Sequence, residues 1–369
     1  MKKRMLVLII SAILCGTAFA EPTPVQPSGS GTEGDPYQVS TINHLYWITQ
    51  NSSSWGAYFE QTANIDASSS SGWASGQGLT PIGISTTPFT GSYDGQGHHI
   101  DGITVNRGST DYIGFLGYVE GGDISDIGLV NVSITGRYWV GALVGHQRTS
   151  STINRSYSTG TVTGTEGYIG GLAGQNYYST IYDSYSHVTV DSKSTAAGLC
   201  GNNNSGTIVR CFSTGTVDGD FLIMGLSQGN TGNTVLNSFW DTETSGILTS
   251  HGGTGLTTDA MKTEATFTDV GWDFAGESAN GTDEIWSIDG STNDGYPYLT
   301  NNTPPEVPLP VTLSSFTVEI GNGKIELTWT TGSETENSHF LIYRNGEIIG
   351  LIAGAGTSSD PHHYTFIDA

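Results

Sequence analysis

The chain has 369 residues, 52 of them glycine, and sets 35 Asp and Glu against 12 Lys and Arg for a formal net charge of -23. That balance excludes nucleic acid and anionic lipid as partners, because binding phosphate needs clustered basic residues. With only 13% charged residues and β-branched or aromatic residues alternating with Ser, Thr, Asn and Gly, the composition specifies an all-β chain with many turns.

Residues 1–20 read as a signal peptide. Lys2, Lys3 and Arg4 precede an apolar stretch, Met5 to Leu14, that is too short to span a bilayer, and Ala18-Phe19-Ala20 offers an A-x-A site. Leu14 is too bulky for a lipoprotein box before Cys15. Cleavage after Ala20 removes three basic residues and no acidic ones, taking the net charge to -26. The expected location is secreted or cell surface, and no later stretch is apolar enough for a transmembrane helix. No cofactor is expected. Ca2+ is the ion such an acidic surplus would attract, though no ligand loop stands out.

Residues 21–107 are expected to form an N-terminal cap and the first coils, with 35–75 as the cap and Leu45-Tyr-Trp-Ile48 its apolar segment. Residues 108–245 are a repeat array. Five segments align around a Gly-Leu core, with leucines at Leu116, Leu143, Leu172, Leu199 and Leu226 and separations of 27, 29, 27 and 27 residues. Each is followed by an apolar anchor: Ile124, Ile153, Ile181, Ile208 and Val235. Val162, Val190 and Val217 recur later in their units. No such unit buries its apolar face alone, so stacked coils of about three short strands are expected, paired in parallel about 4.8 Å apart. Glycine at the Gly-Leu step would permit a positive φ or a tight corner. Leucine-rich repeats need more leucines per unit, and propeller blades need longer ones.

Residues 246–302 are expected to cap the solenoid, with Thr258 or Asp259 as a helix N-cap and Trp240, Trp272 and Trp286 as a lid on the final coil. A Pro-rich linker, 303–310, leads to longer alternating strands in 311–369: Val311 to Ile320, Lys324 to Thr330, His339 to Arg344, Glu347 to Ile352 and His363 to Asp368. Trp329 and Tyr343 are its expected core anchors.

The Gly-Leu-x-Gly core, the opening phrase Phe89 to His98 and the closing phrase Ser238 to Gly246 resemble GLUG-motif repeats of bacterial surface and secreted proteins. The resemblance covers about 35–300 and implies a parallel, right-handed β-helix. Ala197, Met224 and Gln228 depart from its glycines, which implies looser corners in those units. Residues 311–369 resemble a fibronectin type III module, as found in type IX secretion cargo. A complete sandwich has seven strands, so the module reads as truncated. The expected fold class is therefore an all-β parallel solenoid of ~27-residue repeats followed by a partial immunoglobulin-like sandwich.

Candidate chemistry is thin. Gly225-Leu-Ser-Gln-Gly229 matches G-x-S-x-G, yet Ser227 falls in register with the repeat rather than at a strand-to-helix turn. Two residues after each anchor stand Asp126, Arg155, Asp183, Arg210 and Asn237, an alternation suited to ion pairs between coils rather than to paired catalytic carboxylates. No histidine or cysteine spacing fits a metal. Cys200 and Cys211 read as buried thiols, with a disulfide as the alternative. Aromatics recur as Tyr157, Tyr185, Phe212 and Phe239, and again as Tyr112, Trp139 and Tyr168. These seven are either a packing ladder or a strip that stacks sugar rings. The expectation is a non-enzymatic, adhesin-like scaffold with no catalytic residue, whose partner is a glycan or a host or neighbour surface protein. The alternative is the non-catalytic portion of a secreted hydrolase.

Overall fold

The computed structural model describes residues 21–229, 232–305, 312–321, 324–344, 347–358 and 360–368. The signal segment, Val311 and most of the Pro-rich linker lie outside them. The chain divides into two units between Pro304 and Pro305.

The first unit is a stack of parallel coils. One coil supplies four short strands, Tyr168–Gly170, Ala173–Tyr177, Thr180–Tyr182 and Tyr185–Ser192, rather than the three expected. The extra break falls at Gly171-Leu172, where the chain bends between the first two strands. Repeated coil by coil, the strands build four parallel sheets, here S1 to S4 in that order. Ile124, Ile153, Ile181, Ile208 and Val235 lie in register in S3. Ile134, Val162, Val190 and Val217 do so in S4.

The leucines form the column on which the architecture depends. The amides of Leu143, Leu172 and Leu199 donate to the carbonyls of Leu172, Leu199 and Leu226 at 3.0, 2.9 and 2.9 Å, and all four side chains are fully buried. Leu116 departs from the alignment, since its register partner in S2 is Val144 rather than Leu143. The cause is a coil one residue shorter: Ile113 and Val140 pair, as do Tyr118 and His146, although the second interval is the longer.

The repeat glycines serve close approach, not a positive φ. A β-carbon on Gly170 would lie 2.1 Å from the Ala173 carbonyl oxygen, and one on Gly174 would lie 2.5 Å from that of Gly145. The left-handed corners belong instead to Asp126, Arg155, Asp183, Arg210 and Asn237, with φ between 41° and 51°. There Arg155 holds Asp126 through two bonds of 2.7 Å, and Arg210 holds Asp183 through two of 2.6 Å. The alternation is thus a set of separate bidentate pairs.

Polar columns also run through the interior. Gln147, Asn176 and Asn203 are fully buried; Gln147 donates to Asn176, and Asn176 to Asn203, each at 2.8 Å. Ser184 and Ser238 each accept an amide from a neighbouring coil, and Cys211 occupies the rung between them. Cys200 and Cys211 are buried free thiols. Burial pushes the Cys200 thiol up to about 12 and raises Cys211 as well.

The coils begin earlier than the sequence suggests. Strand Tyr37–Val39 already pairs in parallel with Tyr58–Gln61, so 35–75 is coil as well as cap. Helix α1, Ile42–Gln50, starts where the Thr41 hydroxyl accepts the His44 amide, and it buries Leu45 and Ile48 in the solenoid core. At the other end Trp240 closes that core, its indole donating to the Ile247 carbonyl at 2.9 Å.

Residues 257–302 lie along the side of the stack. Trp272 bonds the Asn237 carbonyl, Trp286 reaches Asp183, and Asn301 lies against Gly97 near the start of the solenoid. Trp272 and Trp286 therefore lid the outer face of S4 rather than the final coil. The N-cap of helix Thr258–Met261 is Thr257, one residue before the nearer candidate.

The second unit is antiparallel and, among its described residues, has four strands where five were expected. Lys324–Arg344 is a single strand; its first part pairs with Thr312–Gly321 and His362–Asp368, and its second with Glu347–Ser358. Trp329 is buried against Phe340 and Tyr364. The Tyr343 side chain lies outside the described residues.

Candidate functional site

The seven aromatic candidates separate into two bands. Tyr157, Tyr185, Phe212 and Phe239 occupy one register column on the outer face of S4. Their rings stack at 5.0 Å for Tyr157 and Tyr185 and 4.9 Å for Tyr185 and Phe212, nearly parallel in both cases. Coil rise sets that spacing. Below Tyr157 the column ends on Gly128, where a β-carbon would strike the tyrosine ring. Met261, Phe267, Trp272, Phe274, Trp286 and Leu299 cover the stack, leaving Tyr157, Tyr185 and Phe212 fully buried and Phe239 nearly so. As a surface strip for sugar rings this column is corrected: folded this way, it shows no face to solvent.

Tyr112, Trp139 and Tyr168 remain half-buried at the corner before S2. Tyr112 and Trp139 stack at 4.8 Å with planes 5° apart. Tyr168 joins them through Tyr138, which lies 5.7 Å from Tyr168 and 4.3 Å from Trp139. Across the outer face of S2 the rings continue. Tyr118 stands 5.1 Å from Tyr112, His146 stacks on Tyr118 at 4.8 Å, and Tyr177 follows at 6.5 Å. Tyr178 meets Tyr177 edge-on at 4.6 Å and is 58% exposed.

Sequence reasoning missed Tyr118, Tyr138, His146, Tyr177 and Tyr178. The available signal was the strand period: outward residues of S2 alternate with the buried Gln147, Asn176 and Asn203.

Charges at this band are paired internally. Arg148 donates to the Tyr118 hydroxyl at 3.1 Å, lies 3.8 Å from Glu120 and sits 5.8 Å above the Tyr177 ring. Arg137 binds Asp111 at 2.7 and 2.9 Å. Burial pushes the His146 imidazole down to about 4, so it is neutral at pH 7. Beyond the rings the same two columns end in neutral amides: Gln175 and Asn202 follow Tyr118 and His146, and Asn204 follows Tyr177.

Elsewhere, Ser227 lies buried in strand Ser227–Gly229, pairing with Cys200, in no strand-to-helix turn. Among the described residues no group of three or more His, Cys, Asp or Glu could hold a metal ion, and no helix is long and apolar enough to cross a membrane.

Residues 165–191 match the model of the GLUG motif. The chain carries a GLUG coil. The matched stretch runs from the corner before Tyr168 through strands Tyr168–Gly170, Ala173–Tyr177 and Thr180–Tyr182 into Tyr185–Ser192, which makes the GLUG motif one full circuit of the solenoid. Among curated proteins the chain is 36% identical to Halomucin of Haloquadratum walsbyi over 151 residues, 40% of this chain and 2% of Halomucin. It is 33% identical over 150 residues, 38% of this chain, to a protein provisionally named a Gly-rich membrane protein from Evansella cellulosilytica, and covers 16% of it. The chain thus spans a small fraction of either relative. No solved structure matches it significantly.

Proposed function

We propose that this chain is a non-enzymatic, adhesin-like β-solenoid, secreted or held at the cell surface, that presents a binding face to a glycan or protein ligand. The observation that carries the reading is the contrast between two outer faces. The aromatic column of S4 is sealed by residues 257–302, while the ring band of S2 is left partly uncovered: Tyr118 and His146 are buried, Tyr112, Tyr138, Trp139, Tyr168 and Tyr177 half-buried, and Tyr178 exposed. Contiguous exposed aromatic surface marks interaction sites. The relatives' names, a mucin and a membrane protein, support the location. In this reading the antiparallel second unit serves as the fibronectin III-like module of a type IX secretion cargo. Deleting the transporter should then leave the protein inside the cell, and unaltered export overturns that route.

The binding reading is tested by probing glycan and purified surface-protein arrays with wild type and a Trp139→Asn/Tyr178→Asn double variant. Asparagine tolerates the left-handed backbone of both positions. Binding by the wild type and not by the variant is expected; equal binding, or none by either, overturns it.

A further inference from the structure

We infer that the S2 ring band is a site for a neutral glycan, with Tyr178 as the ring on which a sugar stacks; this rests on the binding-face reading above. Most rings of the band cover one another. Tyr112 and Trp139 occlude each other's faces, and so do Tyr118 and His146. Tyr138 lies on the Gly167 backbone, where a β-carbon would come within 2.4 Å of its ring. Tyr178 differs: it meets Tyr177 edge-on, at 87°, and more than half of it is exposed. An amphipathic ring with a free face and a polar tip is what the apolar face of a pyranose needs.

Backbone conformation marks Tyr178 as well, as it does Tyr112 and Trp139, whose faces are occluded. Tyr178 has φ 47°, at the corner where neighbouring coils place Ser150 at 61° and Ser205 at 53°. Small polar residues take this conformation at lower cost than a bulky ring does, and such costs concentrate at ligand sites. The fold therefore holds a tyrosine outward where serine would close the turn.

Charge decides the ligand class. Both arginines at the band are paired, Arg148 near Glu120 and Arg137 with Asp111, so neither is free for an anionic polymer. The chain as a whole carries -23. Of the polar residues beside the rings, Asn204 is partly exposed and can meet a sugar hydroxyl, while Gln175, Asn202 and Thr195 are buried.

Affinity electrophoresis of the full chain through gels containing a neutral β-glucan or galactomannan, or anionic polygalacturonate, tests the assignment. Wild type should be retarded by a neutral polymer and not by polygalacturonate, and Tyr178→Asn should weaken that retardation at least about tenfold. Tyr178→Ser, the residue type of the neighbouring corners, is the second variant, with thermal melting to show that both fold. Retardation by polygalacturonate alone, or equal retardation of the variants, overturns the assignment. Absence of any retardation also overturns it. The broader binding role then survives if a defined array protein binds wild type and not the Trp139→Asn/Tyr178→Asn variant, and falls if none does.

Discussion

Two aromatic bands decorate one solenoid, and their difference lies in what covers them. On S4 four rings stack in register and receive a second layer from residues 257–302. On S2 the rings spread across the sheet and receive none of that layer. The same residue types at the same coil spacing therefore act as core in one place and as surface in the other. Periodicity fixes where rings recur; exposure is set by a segment remote in sequence.

The comparison breaks most visibly at Phe212. It is fully buried, stacked on Tyr185, with Trp286 6.0 Å and Trp272 6.3 Å away. Phe212→Ala should cost about 3–5 kcal/mol in chemical denaturation. A loss below about 1 kcal/mol would mean that the second layer is not packed on the column.

Histidine titration probes both bands. His146 on S2 and His187 beneath the S4 layer are each pushed down by burial to about 4 from an ordinary 6.5. Each is neutral when folded and free to take a proton once unfolded. Stability should therefore be full above about pH 6.5 and decline as pH falls toward 4, by up to about 3 kcal/mol for each imidazole. His146→Gln should flatten part of that slope in melts at pH 4 to 7; an unaltered slope would place the proton uptake elsewhere.

Arg210→Asp sets two carboxylates together where Asp183 has 2% of its side chain exposed, and should cost about 2–3 kcal/mol. Arg137→Ala, with 44% exposure and no second layer, should leave the melting temperature nearly unaltered. Similar melting of the two variants would erase the distinction between covered and open pairs. The smallest effect on stability belongs to Tyr178→Asn, within about 0.5 kcal/mol, although it is expected to abolish most ligand retention. A large fall in melting temperature there would make Tyr178 a packing residue.

Much of the fold was legible along the chain. Leu143, Leu172, Leu199 and Leu226 announced their column because stacked coils place equivalent residues over one another. The Arg155–Asp126 and Arg210–Asp183 pairs followed from the same alternation. Leu116 misled, since a one-residue deletion beside glycines leaves the apolar pattern intact while shifting register. The single long strand through 331–338 was hidden because Gly332, Ser333, Glu334, Glu336, Asn337 and Ser338 look like a turn. At the candidate site, Tyr112, Trp139 and Tyr168 were found by their position before the leucine. Tyr118, Tyr177 and Tyr178 were not, because their significance depends on rings contributed by other coils.

Spacing and residue type by themselves determined the coil, its parallel pairing, its buried columns and the acidic surface, because each depends on contacts that repeat at constant separation. Only the tertiary structure decided which outer face is sealed, which glycines are needed for close approach, and which tyrosine keeps a free ring. Those outcomes depend on where one non-repeating segment comes to lie, and no local pattern encodes that.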